Sequence, residues 1–404
     1  MDTVAHLWAG PESPPATPAE TCPEVSVVIP CLNEERTIGA CIDKALAAFE
    51  AAGIVGEVVV ADNGSSDSSV DIAQRHGARV VHASVKGYGS AIKKGTQAAR
   101  GVFIILGDAD GSHDFGEIPR FVAKWREGHE FVLGSRLLGE IKENAMRWHH
   151  RHIGTPALSA LVNLFFGARV TDINSGMRGI TKELAGRLDL RTNGFELCSE
   201  SLIKAAKAGI DIAEIPITTW PDLRDRSPHL QTFRDGWRHL RFIMLSAPNW
   251  LFLLPGALLM VLGIGFVLWL LPGPRLAGKV GLDINTMSLS MMLVLLGMHI
   301  FSIGLFVKVF CHVEKLSRNQ HTFVFWLRRM KLEHGLLLGA ALFTFGFCGD
   351  AIVFYRWLSA GLGQLHAVRT VFFCSLSLFL GAEVLFSSVF LSMLGISRDT
   401  YIGE

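Results

Sequence analysis

Asp108-Ala109-Asp110 stands just past the apolar run Val102-Phe103-Ile104-Ile105-Leu106. Such a run followed by a glycine-rich turn reads as a buried strand reaching the edge of a sheet. Side chains alternate along a strand, so residues two apart share a face. Two carboxylates on one face suit a hard cation, Mg²⁺ or Mn²⁺, which can itself hold a diphosphate. An acidic strand-end turn without a ligand is the alternative, since Asp and Gly are common there. Three more polar clusters occupy equivalent places. Asn33-Glu34 follows the strand-like Val25 to Pro30, Asp62-Asn63 follows Glu57 to Ala61, and Lys86-Gly87-Tyr88-Gly89 follows Arg79 to His82. Asp62 could hydrogen-bond a base or ribose, while Gly87 and Gly89 would let the backbone approach a nucleotide or sugar. There is neither a GxxxxGK[ST] loop nor a GxGxxG turn with its following acid, so a P-loop NTPase or a dehydrogenase is poorly supported.

The elements that must hold these clusters alternate strand and helix. A helix runs from Asn33-Glu34-Glu35 to about Ala52, and a second reaches His76 from an N-cap at Ser66 or Asp67. A third runs from Lys86–Ser90 to about Arg100. Repeated βαβ units predict an α/β, Rossmann-like, mostly parallel sheet with helices on both faces and ligands beyond the carboxyl ends of its strands. A further soluble part, Phe131 to Asp235, holds Gly134-Ser135-Arg136, a basic stretch from Arg147 to His152, and Asp172-Ile173-Asn174-Ser175-Gly176-Met177-Arg178. A helix from about Glu196 to Ala208 and an extended Ile212 to Thr219 follow. His149, His150 and His152 lack the i, i+4 spacing of a helical metal pair and read as part of a basic interfacial patch.

Half of the 404 residues are hydrophobic, and the excess is concentrated after about residue 248. Apolar segments near 249–271, 286–310, 335–358 and 369–395 are long enough to span a bilayer. Basic residues Lys315, Arg318, Arg328, Arg329 and Lys331 between the second and third spans, and the Arg-rich stretch before the first, place both termini and the soluble part in the cytoplasm. Residues 233–245 have helical period, with Arg234, Arg238 and Arg241 among Trp237, Leu240 and Met244. They read as a helix on the membrane surface, an ordinary amphipathic helix being the alternative. Asp350 and Glu383 fall inside spans, where helix association, lipid handling or a span boundary set too wide would explain them; His299 reads as a packing residue. The formal charge of +1 argues against a nucleic-acid binder. Seven scattered cysteines without a CxxC pair suggest no disulfide framework and no zinc site. The expected division is a disordered tail at 1–23 with no signal peptide, a soluble domain at 24–230, a juxtamembrane helix at 231–248, four transmembrane helices at 249–396 and a cytoplasmic tail at 397–404.

Residues 25–35 (VSVVIPCLNEE), 60–67 (VADNGSSD), Asp108-Ala109-Asp110, Gly134-Ser135-Arg136 and Asp172 to Arg178 resemble glycosyltransferase family 2. The branch they resemble is the polyprenyl-phosphate glycosyltransferases, which include dolichyl-phosphate mannose and glucose synthases. The resemblance covers about residues 24–230 in order. It implies a GT-A fold, a divalent cation and inversion at the sugar carbon. It further implies that Pro30, Asn33, Glu34 and Asp62 bind the nucleotide and that Asp108 and Asp110 hold metal and diphosphate. Arg136, Arg151, Ser175 and Arg178 match positions that engage the acceptor phosphate or the donor diphosphate, with Asp110, Arg136 and Arg178 in the catalytic set. Arg224 and Arg226 follow a Pro-Ile-Thr strand, as the phosphate-binding segment does in relatives, but the lysine expected there is absent. Ser112 replaces a frequent Gln and is a weaker metal ligand.

The implied reaction moves one sugar, glucose or mannose, from a nucleotide-diphosphate sugar to a membrane polyprenyl phosphate; a homo-oligomer is compatible with it. A processive polysaccharide synthase or transporter shares this domain layout but usually carries Gln-x-x-Arg-Trp, which is absent. A non-catalytic membrane scaffold with a transferase-like domain is disfavoured by the intact acidic pair and the complete rim.

Overall fold

The computed structural model describes residues 22–223, 232–313, 332–363 and 367–395. The expected terminal tails, Arg224, Arg226 and the basic loop from Lys315 to Lys331 lie outside this set. The chain divides into two compact units, one of residues 1–159, 170–201 and 211–232, the other of 160–169, 202–210 and 233–404.

In the first unit, β1 (Val25–Cys31), β2 (Gly56–Asp62), β3 (Arg79–His82), β4 (Phe103–Leu106), β5 (Phe131–Ser135), β6 (Arg178–Thr181) and β7 (Ile212–Pro216) form one sheet in the order β3-β2-β1-β4-β6-β5-β7. All neighbours run parallel except β6, which is antiparallel to both β4 and β5. The crossovers include α1 (Ile38–Ala52), α2 (Ser69–Arg75), α3 (Tyr88–Ala98) and α4 (Ile118–Arg126). The strands are apolar on both sides because both faces are covered. Val25, Val27 and Ile29 point into a core shared with Ile38, Ile42, Phe49, Phe115 and Phe121. On the opposite face, Gly95 of α3 lies so close to Val28 that a Cβ there would overlap its side chain. Chain order turns both ways from β1, to β2 on one side and to β4 on the other. The crevice beyond their carboxyl ends is the topological switch point, where α/β sheets place ligands. α5 (Thr155–Phe166), α6 (Lys182–Leu188) and α7 (Leu197–Lys207) complete this part of the chain.

The second unit contains α8 (Thr232–Leu245), α9 (Leu254–Leu270), α10 (Ile284–Val313), α11 (Leu332–Ser359) and α12 (Val368–Gly395), with a short hairpin of β8 (Arg275–Ala277) and β9 (Val280–Leu282). Among the described residues, four helical segments are long and apolar enough to cross a bilayer: Asn249–Leu270, Ile284–Cys311, Leu332–Ser359 and Val368–Leu394. α8 buries Asp235, His239 and Ile243. Its open face carries Phe233, 92% exposed, and Trp237, 60% exposed, beside Arg234, Arg238 and Arg241. Aromatic and basic residues sharing one open face are what a membrane-surface helix presents. Lys207 Nζ donates to the Ser246 carbonyl at 2.7 Å, just past the end of α8, and lies over the Phe166 ring.

Among the spans, α9 packs on α10 and α11 on α12, and the two pairs meet through α10 and α12. Glycines bring each pair together. Gly256 faces the Gly297 carbonyl, and Gly339 faces that of Gly381, so close that a Cβ would stand 2.8 and 2.9 Å from those oxygens. Packing between lipid-embedded helices depends on such close backbone approach. Asp350 accepts the Ser375 hydroxyl at 2.9 Å between α11 and α12, and His299 Nδ1 stands 3.5 Å from Glu383 Oε1 between α10 and α12. Both intramembrane acids therefore serve helix–helix contacts.

Candidate active site

The loops after β1 and β2 are laced together. Asn33, held at φ 58, donates its N–H to Ser65 Oγ at 2.9 Å, and its Oδ1 accepts from Ser66 N–H at 2.7 Å. A short polar side chain tolerates this left-handed geometry. Buried Glu34 donates its N–H to Ser69 Oγ at 2.7 Å, and Pro30 lies half-buried in β1 opposite Ala61. Asp62 is buried and accepts from Ser65 N–H at 2.9 Å, Gly64 N–H at 3.1 Å and His82 Nδ1 at 3.0 Å. Burial opposes its charge, but the donors from Ser65, His82 and Gly64 outweigh it and hold the carboxyl below its usual range. Asn63 bridges to the next loop, accepting Gly87 N–H at 2.7 Å and donating to the Val85 carbonyl at 2.8 Å.

β4 ends at Leu106, so the acidic pair sits on the turn after the strand rather than on the strand itself. Asp108 and Asp110 are partly exposed while Ala109 between them is buried. Asp108 Oδ1 accepts the Tyr88 hydroxyl at 2.9 Å. Burial first, and the neighbouring Asp108 charge second, push the Tyr88 phenol well above its usual pKa, so it is the donor. The Asp108 N–H donates to His113 Nδ1 at 3.0 Å, which leaves the neutral ring's proton on Nε2. Asp110 Oδ1 accepts both the N–H and the hydroxyl of Ser112, at 3.0 and 2.6 Å. Ser112 thus acts here by aiming Asp110.

These two partly exposed carboxylates suit Mg²⁺ or Mn²⁺, which take oxygen donors and complete their shells with water and phosphate. Among the described residues no group of three His, Cys, Asp or Glu forms a protein-only metal site. The fit is therefore to an ion shared with a ligand.

Arg136 forms a forked pair with fully buried Asp172, through Nε at 2.7 Å and Nη2 at 2.8 Å, and its own N–H adds a bond at 3.1 Å. Arg178, expected in the catalytic set and at the acceptor phosphate, lies buried behind the turn. It is 2% exposed and donates to the Cys198 carbonyl at 2.9 Å, to Ser201 Oγ at 2.7 Å and to the Ser175 carbonyl. Ser175 is likewise buried. Arg178 ties the turn before β6 to α7, while the Ser175 hydroxyl donates to the Met177 carbonyl within the turn itself. Arg151 is exposed in the turn His150–Gly154, open to a ligand. Gly87 and Gly89 do permit a close approach, but it is by the chain's own Asn193, whose carbonyl accepts Gly89 N–H at 2.9 Å.

Four residues given no individual role in the sequence also line this region: Asn63, Tyr88, His113 and Gly176. Tyr88 lies between two glycines already marked by the pattern, and His113 lies inside the acidic motif. Gly176 abuts the site so closely that a Cβ would stand 2.5 Å from Asp108 Oδ2.

Residues 26–188 match Glycosyl transferase family 2, and residues 305–395 match the Glycosyltransferase family 2 C-terminal transmembrane region. The low-salt glycan biosynthesis hexosyltransferase Agl6 of Haloferax volcanii is 34% identical over 378 residues, covering 93% of this chain and 90% of that protein. The dolichyl-phosphate hexose transferase of the same organism is 30% identical over 197 residues, 49% of this chain and 83% of its own length. A solved glucosyl-3-phosphoglycerate synthase from Mycobacterium tuberculosis, in complex with Mn²⁺, UDP and glucosyl-3-phosphoglycerate, aligns with a TM-score of 0.43 at 23% identity, over 55% of this chain and 78% of that one. With a relative similar along almost the whole length, a GT-A sheet carrying an acidic pair at its switch point and a C-terminal transmembrane region, this chain belongs to glycosyltransferase family 2 as an integral membrane glycosyltransferase.

Proposed function

We propose that the enzyme transfers a single hexose, glucose or mannose, from a nucleotide-diphosphate sugar to a polyprenyl phosphate at the cytoplasmic face, with inversion. The observation that carries this reading is the union in one chain of the acidic rim, four spans and α8, whose open face is aromatic and basic. The similarity to a dolichyl-phosphate hexose transferase supports the same acceptor class.

The acceptor phosphate is already anionic near neutral pH, so its oxygen needs no strong base to attack the anomeric carbon. The new bond forms from that oxygen as the bond to the nucleoside diphosphate breaks. A divalent ion held by Asp108 and Asp110 would neutralise the leaving diphosphate as a Lewis acid. Asn33, Glu34 and Asp62 shape the nucleotide side through the laced loops. Arg151 is available to pair with a phosphate, and Arg136, oriented by Asp172, adds fixed positive charge beside the rim. Arg224 and Arg226 remain proposed phosphate contacts on sequence grounds.

The test is to incubate membranes holding the protein with a panel of labelled nucleotide sugars and polyprenyl phosphate, then weigh the lipid product. One hexose added to the lipid phosphate is expected, with release of nucleoside diphosphate. A product carrying a sugar chain would replace this reading with a processive synthase. Sugar transfer only to non-lipid acceptors would refute the acceptor class.

A further inference from the structure

We propose that Tyr88 is a positioning residue for the metal-binding carboxylate Asp108, and that the 191–195 loop is the clasp that keeps it in place. The inference rests on the metal role of the acidic pair given above. The two carboxylates are aimed by different means. Asp110 is fixed locally by Ser112, two residues away. Asp108 is fixed from a distance: the Tyr88 hydroxyl, at the start of α3, holds Oδ1 at 2.9 Å, and Gly176 closes in on Oδ2.

The Tyr88 ring is itself held by stacking on Phe195, centroids 4.7 Å apart and planes 23° from parallel. The loop leading to Phe195 is bolted to α3 and α7. Asn193 O accepts Gly89 N–H at 2.9 Å and Ser90 N–H at 3.3 Å. Lys93 Nζ donates to Arg191 O at 2.9 Å and to Asn193 Oδ1 at 2.7 Å. Buried Glu200 accepts from Arg191 N–H at 2.9 Å, Thr192 N–H at 2.8 Å and Thr192 Oγ1 at 2.7 Å. Gly87 sits at φ 129 directly under the Asn193 carbonyl, where any side chain would push the loop away. This many bonds on a short loop, ending at a ring stacked on the tyrosine that holds Asp108, fit the support that metal ligands receive from their surroundings.

The experiment measures Mn²⁺ binding to the full-length protein in detergent by the electron paramagnetic resonance of free Mn²⁺, with and without UDP. Tyr88→Phe keeps the ring stack and removes only the hydroxyl. It should weaken Mn²⁺ binding by about tenfold, leave the melting temperature and metal-free UDP binding unchanged, and regain turnover at excess Mn²⁺. Lys93→Met loosens the clasp without touching the acidic turn and should weaken Mn²⁺ in the same direction, by less. Wild-type Mn²⁺ affinity in Tyr88→Phe overturns the positioning role, and wild-type affinity in Lys93→Met overturns the clasp. Asp108→Asn and Asp110→Asn separate this from the premise. If both still bind Mn²⁺ like the wild type, the metal reading itself has failed.

Discussion

Replacing Asp172 by Asn should destabilise the first unit strongly. Asp172 is fully buried and accepts three bonds from Arg136, at 2.7, 2.8 and 3.1 Å. Burial works against the guanidinium charge, and the adjacent carboxylate more than restores it, so the pKa of Arg136 lies above its ordinary value. Asparagine keeps the shape but removes the countercharge and turns an NH₂ toward an acceptor-free fork. Breaking a buried pair by removing one partner costs roughly 3–5 kcal/mol. At about 2–4 °C per kcal/mol for a unit of this size, the melting temperature should fall by about 6–20 °C. Thermal unfolding of the detergent-solubilised protein, followed by tryptophan fluorescence, reads this directly. Replacing both partners, Arg136→Met with Asp172→Leu, should recover most of the stability, because an apolar pair of similar volume carries no desolvation cost. Hexose transfer should stay low in that double variant, since the Arg136 guanidinium and its donors at the rim are gone. An Asp172→Asn protein melting within about 2 °C of the wild type would refute the claim that this pair anchors the site.

Asp110→Ala should reduce transfer by at least about a hundredfold while leaving membrane insertion intact; near-normal activity in detergent with ample Mg²⁺ would contradict its metal role. For Asp62, the depressed pKa means that its stabilising bonds are complete above the ordinary value of 3.8 and are lost as pH falls below it. Acid unfolding of Asp62→Asn should accordingly show a shallower pH dependence in that range than the wild type, and parallel curves would count against the linkage. Burial raises the Cys31 thiol to about 11 and that of Cys41 to about 12, so neither should react with iodoacetamide at pH 8 until the protein is unfolded, as peptide mass mapping can show. In sealed cells, external protease should fail to cut near Arg328, and cleavage there would reverse the proposed orientation.

The GT-A sheet was legible because its strands are short apolar runs ended by polar clusters, and those clusters mark the carboxyl ends where ligands collect. The four spans were legible from length and hydropathy alone. Burial of individual charges was not. Arg136 and Arg178 look alike in sequence, yet one lies partly open beside the rim and the other is enclosed by carbonyl and hydroxyl oxygens. What separates them is the approach of α7 to β6, a tertiary contact that no local pattern encodes. Antiparallel β6 escaped for a related reason: Arg-Gly-Ile-Thr is too short and mixed to announce a strand, and it is fixed by pairing with β4 and β5. The glycines at 87 and 89 were expected to let the backbone approach a nucleotide or sugar, and what the structure packs against them is backbone from a hundred residues downstream.

The glycine contacts among the spans bear on how this enzyme enters its membrane. α9 with α10, and α11 with α12, are consecutive antiparallel pairs whose backbones touch at Gly256–Gly297 and Gly339–Gly381. Each pair can close as soon as its second helix leaves the translocation machinery, because its seam needs no residue made later. The contacts joining the two pairs mix polar and apolar groups: His299 with Glu383, Ser302 with Ser387 and Asp283 with Arg369, beside Phe306 on Phe390 and a cluster of Met287, Val294 and Leu376. Two hairpins delivered in turn would suit this arrangement, with the seam between them completed only after the final helix has been synthesised. A bulky residue at Gly339 would be felt late in biogenesis, as a stalled second hairpin beside an already inserted first.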